Sequence, residues 1–119
     1  MGDQLTVSVS SVDGCAMVTL AGESGVSTVS QWRDVLAGLV EAGPDRVVVD
    51  LSGLRSLEVS GVHVLVEAQE ALMARGGSLA VACPDGVVTR VLGMTGADQR
   101  IPVYGSVRKA VRGDMPWKV

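Results

Sequence analysis

Arg46 to Val66, RVVVDLSGLRSLEVSGVHVLV, is the stretch of sequence that decides the fold. Its unbroken apolar run from Val47 to Val49 predicts a strand buried on both faces, because a half-exposed strand would alternate apolar and polar residues. The segment from Asp50 to Glu58, rich in Ser and Gly, predicts a loop, and Ser60 is suited to cap the helix that follows. This order places the loop at the carboxyl edge of a sheet, where open α/β folds usually carry their function.

The rest of the chain continues the alternation of strands and helices. Leu5, Val7 and Val9 alternate with hydroxyl residues, which indicates a half-buried strand. The other predicted elements are a strand at 15–20, a loop at 21–25, a helix at 28–42, a helix from 60 to about 75, a strand at 79–83, a helix at 84–94, a strand at 101–104 and a helix at 106–112. Short strand–helix–strand connections imply parallel pairing, and the initial hairpin leaves the first strand antiparallel at one edge. We therefore predict an α/β fold with a mixed, mainly parallel sheet of about five strands and about four helices.

Composition restricts the classes of partner. With 119 residues, 47% of them hydrophobic and 19% charged, the chain is long and apolar enough for one packed domain. Its net charge of −3 argues against nucleic acid or an anionic membrane as partner. We find no apolar run of about 20 residues for membrane insertion and no secretory signal pattern, so we expect a cytoplasmic protein.

The chain lacks the usual patterns of metal and redox sites. Cys15 and Cys83 are the only cysteines, whereas a zinc site or a disulfide scaffold typically has four or more at close spacing. We expect both to be small core residues, with a redox pair as the alternative. No metal and no cofactor is predicted.

Catalysis is not predicted either. Ser60, His63 and Glu58 offer the residue types of a hydrolytic triad, but Ser60 is not in a Gly-x-Ser-x-Gly motif. Neither a phosphate-binding Gly-x-x-x-x-Gly-Lys motif nor a Gly-x-Gly-x-x-Gly motif is present. We therefore expect a binding protein without enzymatic activity.

Five motifs in order resemble those of the STAS domain, which is shared by bacterial anti-sigma factor antagonists and the cytoplasmic tails of sulfate-type anion transporters. They are Gly22-Glu23, Asp50-Leu51-Ser52-Gly53, the segment from Leu57 to Val62, Gly76-Gly77 and the segment VVTRVLGMTG at 87–96. The resemblance covers nearly the whole chain. It implies a single STAS domain over residues 1–112, which leaves 113–119 as a loose C-terminal tail.

The resemblance implies a switchable binding module. A member of the antagonist family binds an anti-sigma factor that is a serine kinase of the GHKL type, and the sigma factor is thereby freed for transcription. The kinase can phosphorylate a serine at the start of the second helix, after which the antagonist no longer binds. A phosphate adds about −1.5 to −2 charge, which opposes binding by desolvation and repulsion.

Val59 occupies the position of the phosphorylated residue in the family pattern. Because valine has no acceptor oxygen, the usual switch is not available there, and we hypothesise a constitutive binder. Ser60 corresponds to the family's second hydroxyl residue, and phosphorylation of Ser60 stays an alternative to its capping role, with Ser56 as a weaker candidate. The alternative function is that of a STAS subunit in a lipid-transport or stress-signalling complex, which binds without a phosphoserine switch.

We expect a partner to bind the turn before the second helix and the loop from Glu23 to Ser27. In this interpretation Val59 and Val62 supply apolar contact, Glu58 supplies charge, and Gly61 allows close backbone approach. The expected partner-binding residues are Leu57, Glu58, Val59, Ser60, Gly61, Val62, His63, Glu23 and Ser24. A weak homodimer of this chain is also possible in this interpretation.

Overall fold

The structure is a computed structural model, and it describes residues 4–84 and 86–113. The strands are β1 (Leu5–Val12), β2 (Cys15–Ser24), β3 (Arg46–Leu57), β4 (Ser78–Ala82) and β5 (Val103–Tyr104). The helices are α1 (Val29–Ala42), α2 (Val59–Met73), α3 (Val87–Met94) and α4 (Val107–Arg112), with a short 3-10 helix at Ala97–Gln99. The predicted tail falls almost entirely on residues 114–119, which lie outside the described residues.

The five strands form one sheet in the order β1-β2-β3-β4-β5. β1 is antiparallel to β2, and every other pair is parallel. This arrangement confirms the predicted mixed sheet with an antiparallel first strand at one edge. Asp13 and Gly14 connect β1 to β2 with φ angles of 49° and 82°, which is the geometry of the two-residue hairpin turn whose twist matches the flanking strands.

Val47, Val48 and Val49 are buried, as the unbroken apolar run predicted. Val47 and Val49 belong to a large core beneath α1, α2 and α3, whereas Val48 belongs to a smaller core beneath α4. The sheet is therefore covered on both faces, and each buried valine stabilises the fold by about 1.5–3 kcal/mol. Cys15 is buried in the smaller core and Cys83 in the larger one, so both pack as small core residues on opposite faces.

The predicted loops at 21–25 and 50–58 are wrong, because both segments are mostly strand. β2 continues to Ser24 and β3 to Leu57, and the two remain paired in parallel to their ends. Register shifts after Thr19 and Gly22 interrupt the alternation of side chains. The buried leucines of this part of β3 are consequently spaced three apart, at Leu51, Leu54 and Leu57, and the period of two that marks a strand is lost.

Candidate functional site

The extended ends of β2 and β3 bring two turns side by side at the carboxyl edge of the sheet. The Glu58 N–H donates to the Ser24 carbonyl (3.2 Å), which ties the start of α2 to the end of β2. In the neighbouring turn, Thr28 Oγ1 accepts from the Gly25 N–H (3.0 Å) and donates to the Glu23 carbonyl (3.2 Å). These bonds fix the two turns relative to each other, so their exposed side chains form one surface.

Helix α2 begins at Val59, and Glu58 is its N-cap residue, with an extended backbone and no side-chain capping bond. The prediction that Ser60 caps this helix is therefore wrong. Ser60 is the second residue of the helix, and its hydroxyl oxygen is buried with no hydrogen-bond partner among the described residues. The helix starts early because Leu57 is buried and the Glu58 N–H is held by β2.

Gly61 is required by the protein's own core. A Cβ at this position would lie 2.8 Å from Leu57 Cδ1, 3.0 Å from Trp32 Cζ2 and 3.2 Å from Ser24 Oγ. Trp32 is itself buried and donates its indole N–H to Ser24 Oγ (3.1 Å). The expectation that Gly61 allows close approach of a partner's backbone is thus corrected, because α1 and β2 already occupy that side of the residue.

The structure divides the expected partner-binding residues by exposure. Glu58, Val59 and His63 are exposed, and Glu23 and Ser60 are partly exposed. The remaining members are buried: Leu57, Ser24, Gly61 and Val62.

Val62 was expected to supply apolar contact to a partner, and this expectation is corrected, since the residue is part of the larger core. Val62 packs there because it lies on the sheet side of the first turn of α2. The buried residues shape the turn, and the exposed ones are available at its surface.

An apolar groove lies between this turn and α3, with a volume of about 440 Å³. We call it the turn groove, and its lining residues are Val26, Leu57, Glu58, Val59, Ser60, Val91, Met94 and Thr95. Three large apolar side chains on three separate elements are unusually exposed there: Val26 is 73% exposed, Val59 54% and Met94 80%. Clustered exposed apolar residues of this kind often mark sites of interaction.

Val26 belongs to the loop from Glu23 to Ser27 that was expected to bind a partner, whereas Val91 and Met94 were missed in the sequence. Val26 lies in a Gly-Val-Ser turn and Met94 ends a short helix, so neither has a local pattern that distinguishes it from an isolated surface residue. The packing of α3 beside the start of α2 brings Val91 and Met94 to Val59, and the pairing of β2 with β3 brings Val26 there. Thr95 also borders a more polar hollow of about 400 Å³ along α2, where the Arg100 guanidinium contacts the Glu70 carboxylate at 2.8 Å.

Charges near the turn groove are few and largely solvated. Arg55 and Glu23 form an ion pair at 3.8 Å with both side chains well exposed, which contributes little to stability. The Asp50 carboxylate accepts hydrogen bonds from the Ser52 N–H (3.0 Å) and hydroxyl (2.7 Å), so its hydrogen-bond partner lies within β3 itself. Among the described residues, Glu58 is the one carboxylate that lines the turn groove.

The described residues include neither a metal-binding cluster nor a membrane-spanning helix. Across residues 4–84 and 86–113, no group of three or more His, Cys, Asp or Glu side chains is placed to hold a metal ion. Within those ranges, every helix is too short or too polar to cross a membrane.

Comparison with known proteins gives consistent matches. The family model for the STAS domain matches residues 6–110. The chain is 23% identical over 111 residues to the anti-sigma-F factor antagonist RsfB of Mycobacterium tuberculosis, which covers 93% of this chain and 90% of that protein.

Two solved structures have the same fold. An anti-sigma factor antagonist from Mycobacterium paratuberculosis superposes with a TM-score of 0.88 at 23% identity, covering 95% of this chain and 97% of that one. SpoIIAA in its unphosphorylated form gives 0.75 at 20% identity, covering 91% and 97%. Since the family model spans most of the sequence, this chain belongs to the STAS domain family.

Proposed function

We propose that this protein is an anti-sigma factor antagonist that binds its anti-sigma factor through the turn groove. The exposure of Val26, Val59 and Met94 around one concave surface is the observation that carries the proposal. RsfB and the mycobacterial structure, both described as antagonists, support the same class of function. The partner would be a serine kinase of the GHKL type, and its sequestration in the cytoplasm would free a sigma factor.

The groove suits a protein partner because its contact energy would come from apolar burial. Completing the burial of three side chains that are half to four-fifths exposed would contribute about 1–2 kcal/mol each. Methionine is one of the residue types enriched at protein interfaces, so Met94 would be the main anchor of the three. Glu58 at the rim would add orientation more than affinity, since exposed charges mainly steer encounter.

Val59 leads us to propose a constitutive binder. It is the first residue of α2, where the family pattern has the phosphorylated hydroxyl residue, and it offers no acceptor oxygen. The Ser60 hydroxyl is an unfavourable substitute acceptor because its oxygen is buried in the first turn. Ser56 is partly exposed near the end of β3, outside the residues that line the turn groove.

Val59 also supports a second candidate, a STAS subunit of a lipid-transport or stress-signalling complex that binds without a phosphoserine switch. The same groove would serve as its docking surface. The two candidates differ in the partner, which would be a GHKL kinase in the first and a component of a larger assembly in the second.

Titration calorimetry with the purified GHKL anti-sigma kinases of the native host tests the first candidate. We expect one kinase to bind, and we expect Met94→Lys and Val59→Lys to weaken binding by at least about tenfold, the equivalent of about 1.4 kcal/mol. Met73→Lys is the matched control, because Met73 is 60% exposed at the opposite end of α2. Failure of every such kinase to bind, with binding to a transport or stress complex instead, would favour the second candidate.

Incubation of the same complex with ATP tests constitutive binding. The wild-type chain should take up no phosphate and stay bound, whereas Val59→Ser should be phosphorylated and released. Intact mass spectrometry measures the phosphate, and calorimetry measures the release. Stoichiometric phosphate on Ser60 of the wild-type chain, with loss of binding, would contradict the proposal.

A further inference from the structure

The outer edge of β1 lacks the features that normally prevent strands from pairing. Its eight residues, LTVSVSSV, include no charged residue and no proline, and its register with β2 runs without a bulge from Leu5 to Val12. The opposite edge of the sheet is the two-residue strand β5. Natural sheets protect their edges by charge, proline, bulges, shortness or a covering segment. β5 is protected by its shortness, whereas within residues 4–84 and 86–113 β1 has no charge, proline, bulge or strand paired to its outer edge to protect it.

The pairing with β2 fixes which backbone groups of β1 face outward. The Gln4 carbonyl accepts from the Glu23 N–H (3.0 Å), and Val12 pairs with Cys15 across the two-residue turn, so even-numbered residues face β2. The odd-numbered residues therefore direct their N–H and carbonyl groups away from the sheet. The Leu5 carbonyl accepts from Gln31 Nε2 of α1 (3.3 Å).

Val7, Val9 and Ser11 complete the outward-facing set. In the described ranges, β1 has no strand neighbour on this side. Val9 is also 51% exposed through its side chain. The edge therefore offers three residues with outward backbone groups and an apolar side chain at their centre.

We propose that β1 pairs antiparallel with β1 of a second copy of this chain, centred on Val9. Val9 would face Val9 of the second copy, and Val7 would face Ser11 of the second copy on each side of the two-fold axis. Each of these three pairs exchanges two backbone hydrogen bonds, about six in all. The two five-stranded sheets become one continuous sheet.

A second copy is the favoured occupant because the strand is complementary to itself under two-fold symmetry. The Val9-centred register uses the outward residues that Gln31 leaves open and buries the exposed Val9 side chains against each other. On the other face it sets Ser8 opposite Ser10, a hydroxyl pair that stabilises cross-strand contact. A register centred on Ser8 would instead pair Leu5 with Ser11 of the other copy, and it would need the Leu5 carbonyl that Gln31 already engages.

The proposed dimer leaves the turn groove open. β1 is at the sheet edge, whereas the groove lies between α2, α3 and the β2–α1 turn. Antiparallel pairing directs the carboxyl ends of the two sheets oppositely, so the dimer would present one groove at each end. The inference is thus independent of the proposed anti-sigma partner and can fail or succeed separately.

Sedimentation velocity over a range of protein concentrations tests the dimer. We expect a reversible monomer–dimer equilibrium, and we expect Val9→Lys to raise the dissociation constant at least about tenfold, because two lysines would meet across the axis. Val26→Lys is the matched control and should dimerise as the wild type does, since Val26 is exposed in the groove, away from β1. A wild-type chain that stays monomeric throughout, or a Val9→Lys chain that dimerises unchanged, overturns the proposal.

Amide hydrogen exchange measured by NMR tests which groups pair. The N–H groups of Val7, Val9 and Ser11 should exchange more slowly as protein concentration rises, whereas those of Ser8 and Ser10 should not change. Disulfide formation tests the register, since Val9→Cys should cross-link copies faster than Ser8→Cys does. Faster cross-linking of Ser8→Cys, or concentration-independent exchange at Val9, overturns the Val9-centred pairing.

Discussion

Gly61→Ala should destabilise the protein, although alanine is the better helix former. In an exposed helix interior, replacing glycine with alanine stabilises by about 1 kcal/mol. At Gly61 the added methyl would lie 2.8 Å from Leu57 Cδ1 and 3.0 Å from Trp32 Cζ2. Both neighbours are buried, and Trp32 is also held by its hydrogen bond to Ser24, so neither has room to withdraw.

Overpacking of this kind costs about 1–3 kcal/mol, which exceeds the gain in helix propensity. We expect Gly61→Ala to lower the free energy of unfolding by up to about 2 kcal/mol, because the propensity gain of about 1 kcal/mol is subtracted from the overpacking cost. Gly38→Ala is the matched control, since Gly38 is within α1 and a Cβ there would meet nothing within 4 Å. That variant should raise the free energy of unfolding by about 0.5–1 kcal/mol.

Urea denaturation at equilibrium measures both variants against the wild type. The difference between them should be about 2 kcal/mol, well above the error for variants that share one denaturation slope. If Gly61→Ala were as stable as Gly38→Ala, the tight packing between the first turn of α2 and α1 would be refuted. The fixed shape of the turn groove would then lose its physical basis.

Three further substitutions test the same region. Ser60→Ala should raise the free energy of unfolding by about 1 kcal/mol in a thermal melt, because it removes a buried hydroxyl that has no partner in the described part of the chain. Trp32→Phe should lower it by about 1–3 kcal/mol in urea, since the buried Ser24 hydroxyl loses the indole N–H. Val59→Glu should raise the free energy of unfolding by about 0.3–1 kcal/mol, because a carboxylate interacts favourably with the positive N-terminal end of α2. Repulsion from Glu58 would reduce this gain. In calorimetry the same change should weaken anti-sigma binding, and unchanged affinity would contradict the proposed groove.

Local patterns in the sequence predicted the frame of the fold. Val47 to Val49 indicated a doubly covered strand because three consecutive apolar residues need partners on both faces. The helix expected at 28–42 is α1 with its start shifted by one residue. In both cases the decisive signal lies within one element, where hydrophobic period and burial agree.

The ends of β2 and β3 could not be predicted because their signal is not local. β3 has one extra residue between Asp50 and Gly53 and another between Leu54 and Ser56, and these bulges disrupt the alternation that identifies a strand. The predicted start of α2 was wrong for a related reason. Ser60 is a favoured cap residue and Glu58 is not, yet the bond from the Glu58 N–H to Ser24 starts the helix earlier.

The candidate site was predicted only in part. Its centre is a single segment of the chain, whereas its walls are formed by residues from distant segments. The segment from Leu57 to His63 contains the exposed Val59 and Glu58, which sequence motifs located. Val26 precedes Val59 by 33 residues and Met94 follows it by 35. Only tertiary packing brings the three side chains together. Which side chains of this segment are exposed also depends on which face of α2 packs against the core. Val62 is on that face and is buried.

The places where local preference fails are concentrated at the turn groove. Ser60 has a buried hydroxyl with no described partner, Gly61 is a poor helix former compressed against the core, and Val59 exposes an apolar side chain at a helix start. Each of these features costs stability, and substitutions at Ser60 and Val59 are expected to recover some of it. Gly61 is explained by the packing of α2 against Leu57 and Trp32, whereas that packing does not account for the exposed Val59. The exposed Val59 therefore supports the proposal that the turn groove binds a partner.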